Sequence, residues 1–146
     1  MPGQMNFYRN KGALQVTFIP PTFNDKGFID KQGSMLFVAA PGISNDPKNP
    51  AWDWNQQVRF AVSLPDIAAL YEGEPNDRWE SFHQLEGVPK KLIVEPGMNS
   101  GYMMSIAVGK NDTRKAVYVP LSVGQWILLK TELKRMVPYL AGYLPC

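Results

Sequence analysis

The 146-residue chain has a single cysteine, Cys146, and a single histidine, His83. One cysteine excludes an intrachain disulfide framework and any cysteine-based zinc site. One histidine excludes a multi-histidine metal site and leaves a single candidate for histidine catalysis. No apolar run approaches the about 20 residues that cross a bilayer as a helix. The opening MPGQMNFYRN lacks the apolar stretch of a secretory signal and the length of a transit peptide. Only 19% of residues are charged, yet 45% are hydrophobic, which excludes global disorder. The length fits one domain over residues 1–146, large enough to bury a core without staples.

Catalytic signatures are also missing. The sequence contains no nucleophile elbow, P-loop, dinucleotide fingerprint or zinc-protease motif. Nothing sets Asp25/Asp30, Glu72/Glu74 or Glu80/Glu86 across one cleft as paired carboxylates. His83 lies between Phe82 and Gln84 on an expected strand, with no identifiable orienting partner. An enzyme is therefore the least supported class, and no cofactor or metal is implied.

What the chain does have is short apolar runs punctuated by glycine and proline. Gly12–Ile19, Lys26–Lys31, Ser34–Ala40 and Trp54–Ser63 read as strands, with 43–50 as a loop. In the last of these, Trp54, Gln56, Val58, Phe60 and Val62 share one face, and Asn55, Gln57, Arg59 and Ala61 the other. A helix follows, with Ser63 as N-cap, Asp66 three residues on and Gly73 at its end. Trp79–Leu85, Lys90–Glu95, Tyr102–Val108 and Arg114–Val119 read as four more strands. A second helix opens on the capping-box pattern Ser122-x-x-Gln125. Trp126, Leu129, Leu133, Met136, Val137 and Leu140 follow at helical spacing, and Pro138 is expected to kink or end the helix. Four strands and a helix thus occur twice, an α+β pattern with antiparallel sheets. The stripe Trp126/Leu129/Leu133/Met136 reads as core or as a subunit interface.

Charge is unevenly spread. Residues 1–60 carry +2, residues 61–89 carry −5 and residues 90–146 carry +5, for a net +2. The basic residues Arg9, Lys11, Lys31, Arg59, Lys90, Lys91, Lys110, Arg114 and Lys115 sit on strands or at their ends, with Gln15, Thr17, Asn55 and Gln57 as polar neighbours. An antiparallel sheet can hide one face and present the other, so these residues outline a platform for a nucleic-acid backbone. The same charges also fit ordinary solvated faces. Trp52-Asp53-Trp54 reads either as a base-stacking platform or as aromatics flanking a loop-to-strand junction.

Six segments in order resemble the Whirly single-stranded-DNA-binding proteins of plants and their relatives, the mitochondrial guide-RNA-binding proteins of kinetoplastids. Tyr8–Gln15 (YRNKGALQ) stands where plant members carry YKGKAALS, and Ile19–Phe23 (IPPTF) resembles IPPEF. Trp52–Trp54 with Phe60–Ser63 resembles YDW…FSLS, and Lys90–Pro96 with Ser100–Tyr102 resembles KSLSIKP…GSGYF. Tyr118–Pro120 and Val137–Tyr143 resemble FTVP and LPHIMGW. Lys11, Ala13 and Leu14 match the plant signature, whereas Asn10, Gly12 and Gln15 depart from it. Gln56 and Gln57 stand where plant members carry basic residues, which inclines the resemblance towards the guide-RNA-binding branch.

The resemblance implies two four-stranded sheets packed crosswise, each followed by a helix. It implies a homo- or heterotetramer joined through the helices, with no membrane association. On the favoured branch the partners are guide RNA and messenger RNA, annealed during RNA editing in the mitochondrion. The alternatives are a Whirly-type single-stranded-DNA binder in organelle genome maintenance or transcription, and a subunit that only assembles. The site expected from the basic and polar strand residues is Arg9, Lys11, Gln15, Thr17, Lys31, Gln57, Arg59, Lys90, Lys110 and Arg114.

Overall fold

The structure is a computed structural model describing residues 4–73, 78–97 and 100–143. Glu74 and Cys146 therefore lie outside the described residues. The first half carries β1 (Met5–Tyr8), β2 (Gly12–Ile19), β3 (Thr22–Phe23), β4 (Ile29–Lys31), β5 (Ser34–Pro41), β6 (Val58–Val62) and α1 (Leu64–Gly73). The second carries β7 (Trp79–Leu85), β8 (Val88–Pro96), β9 (Tyr102–Val108), β10 (Lys115–Leu121), α2 (Val123–Arg135) and α3 (Val137–Leu140). Two four-stranded antiparallel sheets result, in the orders β1-β2-β5-β6 and β10-β9-β8-β7, with β3-β4 as a separate two-stranded ribbon.

The sheet content corrects the expected scheme. The 26–31 strand shrinks to β4 and pairs with β3 rather than joining the first sheet. Its place is taken by β1, a four-residue strand too short to show a period in the sequence. Residues Trp54–Gln56 form a 3-10 turn instead of extending β6. The Asp53 side chain accepts from the Asn55 N–H at 3.1 Å, a local bond that competes with the sheet ladder.

Alternation makes the core. Leu14, Val16 and Phe18 of β2 face Ala39, Phe37 and Met35 of β5, which in turn face Val58, Phe60 and Val62 of β6. All of these are buried. The second sheet answers with Trp79, Leu92, Val94, Met104, Ile106, Val117 and Val119. Strand β10 touches β2, β5 and β6, and β6 touches β8, β9 and β10. A strand that touches three strands of the facing sheet must run across them, so the sheets cross. Gly12 permits the close approach: a Cβ there would strike the Tyr118 carbonyl oxygen of β10.

The helices cover one end of the crossing. The Trp79 indole donates to the Asp66 carbonyl of α1 at 2.8 Å, and its ring stacks on Trp126 of α2 at 6.1 Å. The capping box of α2 is complete: Gln125 N–H donates to Ser122 Oγ at 3.1 Å, and Ser122 N–H donates to Gln125 Oε1 at 2.9 Å. At α1 only the return half forms. Both the N–H and the hydroxyl of Ser63 donate to the Asp66 carboxylate, each at 2.8 Å. The stripe Trp126/Leu129/Leu133/Met136 lies in the core of the chain itself. Pro138 sits in the first turn of α3, which follows the end of α2. No described helix is long and apolar enough to cross a membrane.

Candidate nucleic-acid interface

Strand β6 is an edge strand, and its alternation turns Arg59 outward beside Ala61. Gln57 precedes it. With the Gln57 amide oxygen turned towards Arg59, that oxygen accepts from Arg59 Nε and Nη2, each at 3.1 Å, and the amide nitrogen donates to the Trp54 carbonyl at 3.3 Å. A flexible guanidinium is thereby held in one orientation, which lowers the entropy lost on meeting a phosphate.

The opposite wall comes from the second sheet. Residues of its core face that extend past the crossing are not covered by the first sheet. Lys90 of β8 and Lys115 of β10 both flank Val108 of β9 in register. They meet Gln57 and Arg59 around a cleft of about 460 Å³, whose apolar lining includes Val58, Val88 and Val108. The lining holds three cations and no carboxylate. A second cleft, about 510 Å³, opens on the other side of Lys90, lined among others by Lys31, Ser34, Ser63, His83 and Leu85.

Ion pairing separates these cations from Arg78, Lys91 and Arg135, though not from other exposed cations such as Lys110 and Arg114. Among the described residues, Arg59, Lys90, Lys115 and Lys31 form no ion pair, whereas Arg78 and Lys91 bind Glu80 and Arg135 binds Glu132. The neighbours Lys90 and Lys91 show the logic of the strand: one points into the clefts, the other lies across the sheet from Glu80 at 3.0 Å. The hydrogen bond from Lys91, then that from Arg78, holds the Glu80 carboxyl below its ordinary range. Cations left without carboxylates beside an apolar floor can take phosphates while bases rest on the floor.

The sequence-derived residues divide into groups. Gln57, Arg59, Lys90 and Lys31 line the clefts. Lys110 and Arg114 are exposed in the β9–β10 turn, flanking the lining residues Gly109 and Thr113. Gln15 and Thr17 lie on the outer face of the first sheet, Gln15 in one row with Val38 and Arg59. Arg9 and Lys11 are not brought to this cluster. The Arg9 guanidinium donates to Gln125 Oε1 at 2.7 Å, and Lys11 Nζ lies 5.7 Å from the Tyr118 ring centre. Both mark the other end of the crossing, where α2 begins.

Lys115, a basic residue outside the ten-residue site expected from the sequence, joins the cleft because its strand period places it in line with Val117 and Val119. His83 has the partner that the sequence hid. Its Nε2 lies 2.8 Å from the buried Asp66 carboxylate, and its ring stacks on Phe60 at 4.2 Å. Trp52 is a junction residue: its indole donates to the Arg9 carbonyl at 2.7 Å, and its ring meets Tyr8 at 5.1 Å.

Comparison with known proteins bears on the fold and the family. The chain is 27% identical to the mitochondrial single-stranded DNA-binding protein WHY2 of Arabidopsis thaliana, over 94% of this chain and 62% of that protein. It is 26% identical to the chloroplastic single-stranded DNA-binding protein WHY1 of Arabidopsis thaliana, over 94% of this chain and 56% of the relative. The chain thus spans little more than half the length of these curated relatives. The crystal structure of WHY1 from Arabidopsis thaliana superposes with a TM-score of 0.82 at 26% identity, covering 96% of this chain and 85% of that one. These relatives are plant proteins named for single-stranded DNA, so the inclination towards the kinetoplastid guide-RNA branch has no support and is corrected. The family model described as Whirly transcription factor matches residues 7–132, and with the crossed sheets this establishes that the chain belongs to the Whirly family.

Proposed function

We propose that this chain binds single-stranded DNA in the clefts where its two sheets cross. The observation that carries the reading is the convergence of Arg59, Lys90 and Lys115, none of them paired with a carboxylate among the described residues, on an apolar cleft. Such a site neutralises phosphates and accepts unpaired bases without reading sequence. The relatives named for single-stranded DNA support DNA over guide RNA. Gln57, whose departure from the plant pattern favoured RNA, has a sufficient role in orienting Arg59. The names of the relatives divide between mitochondrion and chloroplast, which supports an organellar role in genome maintenance or transcription.

Self-association through α2 belongs to the same proposal, but not through the stripe read from the sequence. That stripe is consumed by the core. The opposite side of α2 leaves Val123, Ile127 and Leu128 exposed, the last two at 51% and 59%. Their i, i+4 and i+5 spacing gives a continuous apolar surface suited to other copies of the chain.

Fluorescence anisotropy with a labelled single strand, titrated against salt and competed with RNA of matched sequence, tests the DNA reading. Arg59→Ala should weaken binding to all sequences and make the slope of log affinity against log salt shallower by about 0.7. Wild-type affinity and slope in that variant would remove the cleft as the site. Stronger competition by RNA than by DNA would reinstate RNA as the ligand.

A further inference from the structure

The two clefts are separated by the tip of the β7–β8 hairpin. Leu85 and Val88 pair across its strands, and two steps inward, on the same face, His83 pairs with Lys90. Leu85 lines the second cleft and Val88 the first, while Lys90 lines both. The ridge is therefore apolar at its crest and cationic at its base.

Two features of the crest need a reason. Leu85 is 63% exposed and Val88 41%, so neither contributes fully to the core. Between them Glu86 and Gly87 adopt φ of 53° and 79°. Positive φ at both central positions is the two-residue turn whose twist suits a hairpin, so the backbone holds the crest in place. Glu86 is exposed at its summit, where a negative charge repels phosphate. The crest thus favours bases over backbone, and the cation behind it favours backbone.

We infer that this ridge is a wedge that parts two neighbouring bases of a bound single strand. It rests on the single-stranded-DNA reading and adds how the strand is threaded. One phosphate sits on Lys90 Nζ, the two flanking bases enter the two clefts, and Leu85 with Val88 fills the space between them. Clefts of about 460 and 510 Å³ lie within the range of small-molecule sites. Apolar side chains are the groups that wedge into base steps elsewhere, because they replace the stacking contact that they break. Duplex DNA is disfavoured twice: its bases are already stacked and paired, and its outer surface presents phosphates to Glu86.

A single strand carrying two adjacent 2-aminopurines reads the wedge directly, since their fluorescence is quenched while they stack on each other. The wild-type chain should raise that fluorescence at saturation, with binding followed separately by anisotropy. The double variant Leu85→Ser, Val88→Ser changes only exposed side chains. It should lose the rise while affinity falls about tenfold or less. Glu86→Lys should raise affinity for duplex several-fold and leave single-strand affinity closer to wild type. An undiminished rise in the double variant overturns the wedge and leaves single-strand binding standing. So does unchanged duplex affinity in Glu86→Lys. Absence of any anisotropy change with the wild-type chain overturns the binding reading and the wedge with it.

Discussion

Replacing Asp66 by alanine tests how the acidic segment is used. Asp66 is only 6% exposed, and its carboxylate is the meeting point of α1, β6 and β7. It accepts from the Ser63 N–H and hydroxyl at 2.8 Å each and contacts His83 Nε2 at 2.8 and 3.0 Å. Hydrogen bonds to a charged group contribute about 1.5–3 kcal/mol each, and they are not additive around one acceptor. Loss of one member of a buried pair costs about 3–5 kcal/mol. His83 is 32% exposed at its side chain and can regain water, so a loss of about 2–4 kcal/mol is expected. Asp66→Asn retains an acceptor for the Ser63 N–H and should cost about half as much. Urea unfolding at one fixed chain concentration reads both variants, because self-association would otherwise shift the midpoint. With a slope of about 1–3 kcal/mol per molar, the alanine midpoint should fall by about 1–2 M. A midpoint within experimental error of wild type would show that the cluster contributes nothing and that α1 is held by packing alone.

Leu133→Glu should unfold the chain, since burying an unpaired carboxylate costs several kcal/mol out of a typical total of about 5–15, whereas Leu128→Glu should preserve the circular dichroism spectrum and yield the single-chain species in sedimentation. The reverse pattern would mean that the two faces of α2 are assigned the wrong way round. Glu80 has its folded-state carboxyl lowered by Lys91 and Arg78, so its contribution is present above about pH 4.5 and is lost as pH falls through its folded value. Because the group is 41% exposed, Glu80→Gln should cost less than about 1 kcal/mol at pH 7 and nothing at pH 2, measured by thermal melts across that range. A constant difference at every pH would exclude the charge as its origin.

What the sequence determined is local. Strands β2, β5, β7 and β9 are legible because apolar, β-branched and aromatic residues are bounded by glycine or proline. The start of α2 is legible because Ser122 and Gln125 complete their cap within four residues. Family membership is legible because six short segments keep their order even where each is weak. The outward turn of Arg59 follows from a period of two between Val58 and Phe60, which are both buried.

What the tertiary structure decided is every relation between distant segments. Whether Gly12–Ile19 pairs with a strand at 26–31 or with one at 5–8 depends on long-range register, and local propensity is silent on it. Lys90 and Arg59 are far apart in the chain and meet only because β6 crosses the end of β8. Lys91 is chemically identical to Lys90, yet its pairing with Glu80 is set by which face of the strand it occupies. Asp66 and His83 belong to an acidic stretch and a polar strand until α1 folds back onto β7. The helical period marks two sides on α2, but only the crossed sheets fix which one is buried. The stripe with Trp126 fills the space beside Trp79, and that leaves Ile127 and Leu128 outside. Periodicity is a property of neighbours along the chain, whereas a cleft is made by groups that neighbour each other only after the sheets have crossed.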